Sequence, residues 1–135
     1  MVILFWALGD GNIMQAANFT VRNSLLDKNN KYYYDSSYNA NAGSSSCKMP
    51  NCTTYVIGRV YEITGKRFEI SGNAGDYYKN NKKYTSSNDA YKPQLGAMVC
   101  YSKMDANPQG HVQVVKKIGS DSKGIYMFLN LIILE

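Results

Sequence analysis

One stretch, from Pro50 to Gly65, restricts this chain more than any other, because it reads as a single amphipathic helix with both ends marked. Pro50 ends whatever precedes it, Asn51 suits a helix N-cap, and Gly65 suits a C-terminal stop. Between them Val56, Val60 and Ile63 fall at i, i+4 and i+7, one apolar stripe. The composition of Thr53 to Ile57 favours a strand, but the spacing and both end signals agree on a helix. Cys52 then lies in the first helical turn, where unpaired backbone N–H groups and the helix dipole stabilise negative charge. A thiol placed there is expected to titrate below the ~8.5 of a free cysteine, which makes it a candidate nucleophile. The competing reading is a small buried hydrophobe.

The length of 135 residues fits one domain with a real core. A formal net charge of +5 implies affinity for something acidic, with nucleic acid, anionic lipid and bacterial wall polymer all eligible. The lysines are spread out, apart from a modest group at Lys79, Lys82, Lys83 and Lys92. With no basic helical stripe and no nucleic-acid motif, a solvated basic surface is the better reading. Twelve tyrosines suggest a wet, aromatic-lined surface suited to sugars and peptides. Three cysteines cannot all pair within one chain; Cys47 and Cys52 could bridge, but only by consuming the thiol at the helix start. So sparse and odd a count fits a reduced compartment. Val2 to Leu8 is too short to span a bilayer and lacks the features of a secretory signal. The expectation is a protein made in the cytoplasm without an export signal of its own.

Residues 1 to 13 stand apart in composition: either Met14 is the true start, or the apolar Val2 to Leu8 segment packs on the domain as strand or helix. A short helix is expected around Val21 to Leu26 and a short strand at Tyr32-Tyr33-Tyr34. Asp35 to Ser46, rich in Ser, Asn, Gly and Ala, reads as an exposed loop leading to the cysteine helix. Ser71 to Tyr78 reads as a loop entering a helical turn, and Lys79 to Lys92 as a surface loop. Ala97 to Tyr101 is a strand apolar on both faces, which makes Cys100 core. In the strand beginning at His111, simple alternation puts His111, Gln113, Val115 and Lys117 on one face and Val112, Val114 and Ile118 on the other. Gly119 to Gly124 is expected to turn into a last strand, Ile125 to Leu134.

His111 is the only histidine. Paired in space with a thiol at a helix start, it could take the thiol proton and later protonate a leaving amine. A third polar group normally orients the imidazole, and downstream of His111 the choices are Asn130 or, less well placed, Asp121. One histidine and three cysteines without a C-x-x-C pair make a poor zinc set. No phosphate loop, dinucleotide fingerprint or calcium loop is present, so neither cofactor nor metal is expected. Glu62 and Glu69 could in principle form a glycosidase pair, but Glu62 reads better as a solvated helix residue.

Four ordered motifs resemble a known family. They are Pro50-Asn51-Cys52-Thr53 with Tyr55, Gly58 and Arg59; Gly72-Asn73-Ala74; Pro93 with Leu95-Gly96-Ala97; and Gly110-His111-Val112 with Val114-Val115. Together they resemble a CHAP domain, the cysteine, histidine-dependent amidohydrolase/peptidase, over about Lys31 to Ile125, and most of all the catalytic domain of phage endolysins. The resemblance implies an α+β, papain-like fold, with N-terminal helices including the nucleophile helix packed on an antiparallel sheet. It also implies a peptidoglycan amidase or endopeptidase, with Cys52 as nucleophile, His111 as base and the Cys52 N–H in the oxyanion hole. Asn130 would be the third catalytic member, Asn73 would border the substrate groove, and Tyr55 matches a helix-packing position beside the substrate. Arg59 matches a buried polar anchor. Thr54 and Ile57 stand where the family often has tryptophan, and the last strand is apolar except for Asn130. The alternative is a non-catalytic wall-binding or structural remnant. On this reading residues 1–20 are an N-terminal extension and 21–135 the domain, with truncation at the C-terminus as one reading of its end. The implied partner is bacterial peptidoglycan, with no nucleic acid and no membrane, for a monomer made in the host cytoplasm that acts on the wall.

Overall fold

The computed structural model describes residues 2–5, 20–22, 26–81, 86–87, 95–102, 105–121 and 124–129. Its central helix, α2 (Cys52–Thr64), forms where the end signals put it. Asn51 Oδ1 accepts from the N–H groups of Thr53 and Thr54 at 3.0 and 3.2 Å. At the other end Gly65, in the left-handed conformation, donates its N–H to the Tyr61 carbonyl at 2.8 Å. Tyr55, Val56, Ile57 and Val60 are buried along the helix.

Tyr32-Tyr33-Tyr34, expected as a strand, instead forms a short helix, α1 (Lys31–Tyr34), packed on α2. Asn30 caps it, its side chain accepting from the Tyr32 N–H at 3.1 Å. The Tyr33 ring is fully buried, 5.6 Å between centroids from Tyr55. Close approach needs Gly58, since a Cβ there would lie 2.5 Å from Tyr33 Cδ1 and 2.8 Å from the Tyr32 carbonyl oxygen. Burial against a neighbouring helix outweighs the strand preference of three tyrosines. Of the helix expected around Val21 to Leu26, Val21, Arg22 and Leu26 lie in neither helix nor strand, and residues 23–25 lie outside the described residues.

The sheet is antiparallel, in the order β2-β1-β3-β4-β5. Its strands are β1 (Val2–Phe5), β2 (Ser86–Ser87), β3 (Met98–Tyr101), β4 (His111–Asp121) and β5 (Gly124–Leu129). Of the readings left open for the opening segment, Val2–Phe5 takes that of a strand, paired with β2 and β3. Met98, Cys100, Val112 and Val114 share one core cluster with α2. Ala97, Val99 and Val115 form a second cluster, joined by Tyr101 and Ile118. Simple alternation had put Ile118 with Val112 and Val114. The β4–β5 register shifts between Val115 and Lys117, and an extra residue in one strand reverses the faces beyond it.

β4 also runs through part of the expected turn, because Gly119, Ser120 and Asp121 pair with Tyr126, Ile125 and Gly124. A 3-10 turn (Ala74–Asp76) leads into α3 (Tyr77–Asn80), the helical turn expected after Ser71. Lys79 and Asn80 therefore belong to α3 rather than to the surface loop, while Ser86–Ser87 is strand and the rest of that loop from residue 82 lies outside the described residues. The fold is α+β, with helices on an antiparallel sheet.

Candidate active site

Cys52 is the first residue of α2 and is half-buried. The donors of its helical turn are unequally occupied. Asn51 Oδ1 takes the N–H groups of Thr53 and Thr54 and also accepts the Thr53 hydroxyl at 2.6 Å. Among the described residues nothing accepts from the Cys52 N–H, the backbone donor nearest the thiol.

The loop before the helix is anchored to it rather than simply solvated. Asn39, fully buried, donates from Nδ2 to the carbonyls of Thr54 at 2.8 Å and Tyr32 at 3.1 Å, and its Oδ1 accepts from the Asn41 N–H at 3.1 Å. Asn41 Nδ2 in turn donates to Thr53 Oγ1 at 2.9 Å. The Thr54 hydroxyl donates to the Cys47 carbonyl, which holds the second half-buried thiol beside the helix start. Thr54 thus ties the loop down to the helix start.

Among the described residues, one short span lies between this helix end and the sheet. Tyr77 is 1% exposed, and burial pushes its phenol up to about 12, with Thr53 and Asn41 pulling the other way and the Cys52 and Cys47 thiols adding a smaller upward push. Two residues earlier, the Gly75 N–H donates to the Gln109 carbonyl at 2.8 Å. Gly110, at φ 70°, has no room for a side chain, since a Cβ would lie 2.5 Å from the Gly75 backbone and 2.6 Å from the Tyr101 carbonyl oxygen. Residues 75 to 77 therefore touch both the strand entry at Gly110-His111 and the surroundings of Cys52.

His111 opens β4 and is half-buried. It pairs across the strands with Tyr101, their ring centroids 6.0 Å apart. Burial lowers its pKa from the ordinary histidine value, so the imidazole is neutral at pH 7 and able to accept a proton. Among the described residues no hydrogen bond joins the Cys52 thiol to His111.

The other expected site residues divide clearly. Asn73 is exposed just before the 3-10 turn, at the surface end of the same span. Tyr55 is only 6% exposed and packs against Tyr33, which gives it the helix-packing role and leaves little ring surface for a substrate. Asn130 lies outside the described residues. Asp121 ends β4, ten positions and about 30 Å from His111, too far to orient the imidazole. Cys100 is core, and burial pushes its thiol up to about 12.

Arg59 is buried as expected, but Glu62 is not a solvated helix residue. Its carboxylate accepts from Arg59 at 2.8 Å, Tyr33 at 2.6 Å and Asn30 at 3.1 Å, and from Arg22. That occupation leaves no free carboxylate for glycosidase chemistry. The anchoring roles of Asn39 and Tyr77 were not read from the sequence; the place of Tyr77 three residues after the Gly72-Asn73-Ala74 motif was the one usable signal.

No helix among the described residues is long and apolar enough to cross a membrane. Comparison with curated proteins and with solved structures yields no match. The CHAP domain model matches residues 41–129, a span that holds α2, the 3-10 turn, the strand bearing His111 and all of β5. The chain belongs to the CHAP domain family, whose members are typically hydrolases acting on peptidoglycan.

Proposed function

We propose that this protein is a cysteine-dependent peptidoglycan amidase or endopeptidase of the endolysin kind, with a papain-like division of labour between helix and sheet. The observation that carries the reading is the span from Gly75 to Tyr77, which meets the strand entry at His111 on one side and the Cys52 turn on the other. His111, neutral at pH 7, takes the Cys52 proton as the thiolate attacks the scissile carbonyl. The unoccupied Cys52 N–H faces the charge that develops on the carbonyl oxygen, and the protonated imidazole then supplies the leaving amine with its proton. Water hydrolyses the acyl-enzyme by the same route in reverse. Catalytic hydrogen bonds commonly tighten only when substrate binds, so a direct Cys52–His111 bond is not required of the free protein. Peptidoglycan reaches the site from the exposed Asn73 side. The protein acts on the wall as a monomer, made in the host cytoplasm.

Mass spectrometry of muropeptides released from several purified wall types tests this. The wild type should release fragments cut at one kind of amide bond, and Cys52→Ala should release none. A folded wild type that releases nothing, or a Cys52→Ala protein that releases as much, defeats the proposal. The stretch from Tyr126 to Ile132, apolar except for Asn130, favours a second reading, a wall-binding domain without turnover. Sedimentation with purified wall, together with no fragment release and a Cys52 inert to iodoacetamide at pH 7, would select it.

A further inference from the structure

We propose that Gln113, with its amide held by Tyr101, positions the His111 imidazole. The inference rests on His111 acting as the base. The β3–β4 register sets Tyr101 opposite His111, with the rings tilted at 34° and 6.0 Å apart. Gln113 is two residues further along the strand, on the same face as His111 and about 7 Å from it between backbone positions. The Tyr101 hydroxyl donates to Gln113 Oε1 at 3.1 Å, so one tyrosine contacts both residues. Burial raises the Tyr101 phenol above its ordinary value, which keeps it a donor at neutral pH.

Gln113 is 8% exposed, an unusual place for an amide on an otherwise valine-rich strand. A buried amide is expected to use its hydrogen-bonding capacity. Here the Tyr101 hydroxyl occupies one lone pair of Oε1, and among the described residues the amide nitrogen has no partner. The second lone pair of Oε1 is available to accept the imidazole N–H. That bond would fix the tautomer and leave the free lone pair on the other ring nitrogen. Tyr101 contributes by fixing which end of the amide is the acceptor. Other titratable groups brought to this end of β4 are Asp76 and Tyr77 from the turn and α3, and Asp105 in the loop leading into the strand.

Because His111 is the only histidine, nuclear magnetic resonance of the imidazole reports it without assignment ambiguity. The wild-type protein should show nuclear Overhauser contacts from the imidazole protons to the Gln113 side-chain amide and the Tyr101 ring. Gln113→Glu should raise the His111 titration midpoint by about one pH unit, because a carboxylate replaces the amide beside the ring. Lys117→Glu, on the same strand but remote, should leave that midpoint unchanged. Tyr101→Phe should lower kcat with KM unchanged. Absence of the Gln113 contact in the wild type overturns the proposal, as does an equal midpoint shift in both Glu variants. Should Gln113→Glu fail to fold, the wild-type contact decides alone. Intact contacts in a wild type that releases no muropeptide would defeat the catalytic reading and leave the positioning of His111 standing.

Discussion

The two ends of α2 are held by opposite kinds of polar network. At the Cys52 end the partners are neutral: Asn51, Thr53 and Thr54, braced by Asn39 and Asn41. Toward the other end the partners are charged, with Glu62 bound by Arg22 and Arg59 and by Tyr33 and Asn30. The difference suits two tasks. A neutral network fixes geometry without adding a charge that would compete with a thiolate or an imidazolium. An ionic hub can carry the docking of distant chain segments, and Arg59 also donates to the Thr20 carbonyl, so the segment before α1 is tied to α2 there.

The strongest way to break the comparison is at the neutral end. Cys52→Ala should reduce muropeptide release by about four orders of magnitude or more while leaving the urea unfolding midpoint close to that of the wild type. At the charged end, Glu62→Gln should do the reverse. Removing the carboxylate takes away the counter-charge of two arginines, one of them buried, and should cost about 3 kcal/mol of stability, read from urea unfolding. Turnover per folded molecule should be preserved, and a specific loss of rate in that variant would end the division proposed here. Asn51→Ala should cost only about 1 kcal/mol, the usual worth of an N-cap. It should nevertheless slow turnover more than Glu62→Gln does, because it frees the N–H groups of Thr53 and Thr54 beside the nucleophile.

The smallest effects are in pH dependence, and the two ends separate there as well. Burial pushes the Glu62 carboxyl upward, but hydrogen bonds from Tyr33 and Arg59 and the nearby arginine charges outweigh it and leave the group below the ordinary glutamate value. Its contribution is present above the unfolded-state pKa of about 4.3 and is lost as pH falls through the folded value. His111 is also depressed, by burial, so the unfolded chain binds its proton first. That contribution is full above about pH 6.5 and declines as pH falls below it. Urea midpoints measured from pH 8 to 3 should therefore fall in two steps, and His111→Gln should remove the upper one alone.

Much of this was legible locally. The bounds of α2, the cap at Asn51 and the place of Cys52 follow from rules that act within one or two turns, and the structure keeps them all. The burial of Cys100 and the start of β4 at His111 were equally plain, since apolar runs flanked by glycine signal a covered strand. The misreadings share one cause, which is contact with something distant in sequence. Tyr33 is helical because α2 offers it a pocket over Gly58. Glu62 is an anchor because Arg22 and Asn30 arrive from outside the helix.

By itself, then, the sequence determined the helix that begins at Cys52 and the order of the motifs within the span that the CHAP domain model matches, because capping, periodicity and spacing are properties of neighbouring residues. Only the tertiary structure decided what surrounds Cys52 and His111. A register shift turned Ile118 to the other cluster, a glycine contact between residues 75 and 110 linked helix end to strand entry, and strand pairing set Tyr101 against both His111 and Gln113. Each of these depends on which backbone lies alongside which, and no local pattern encodes that.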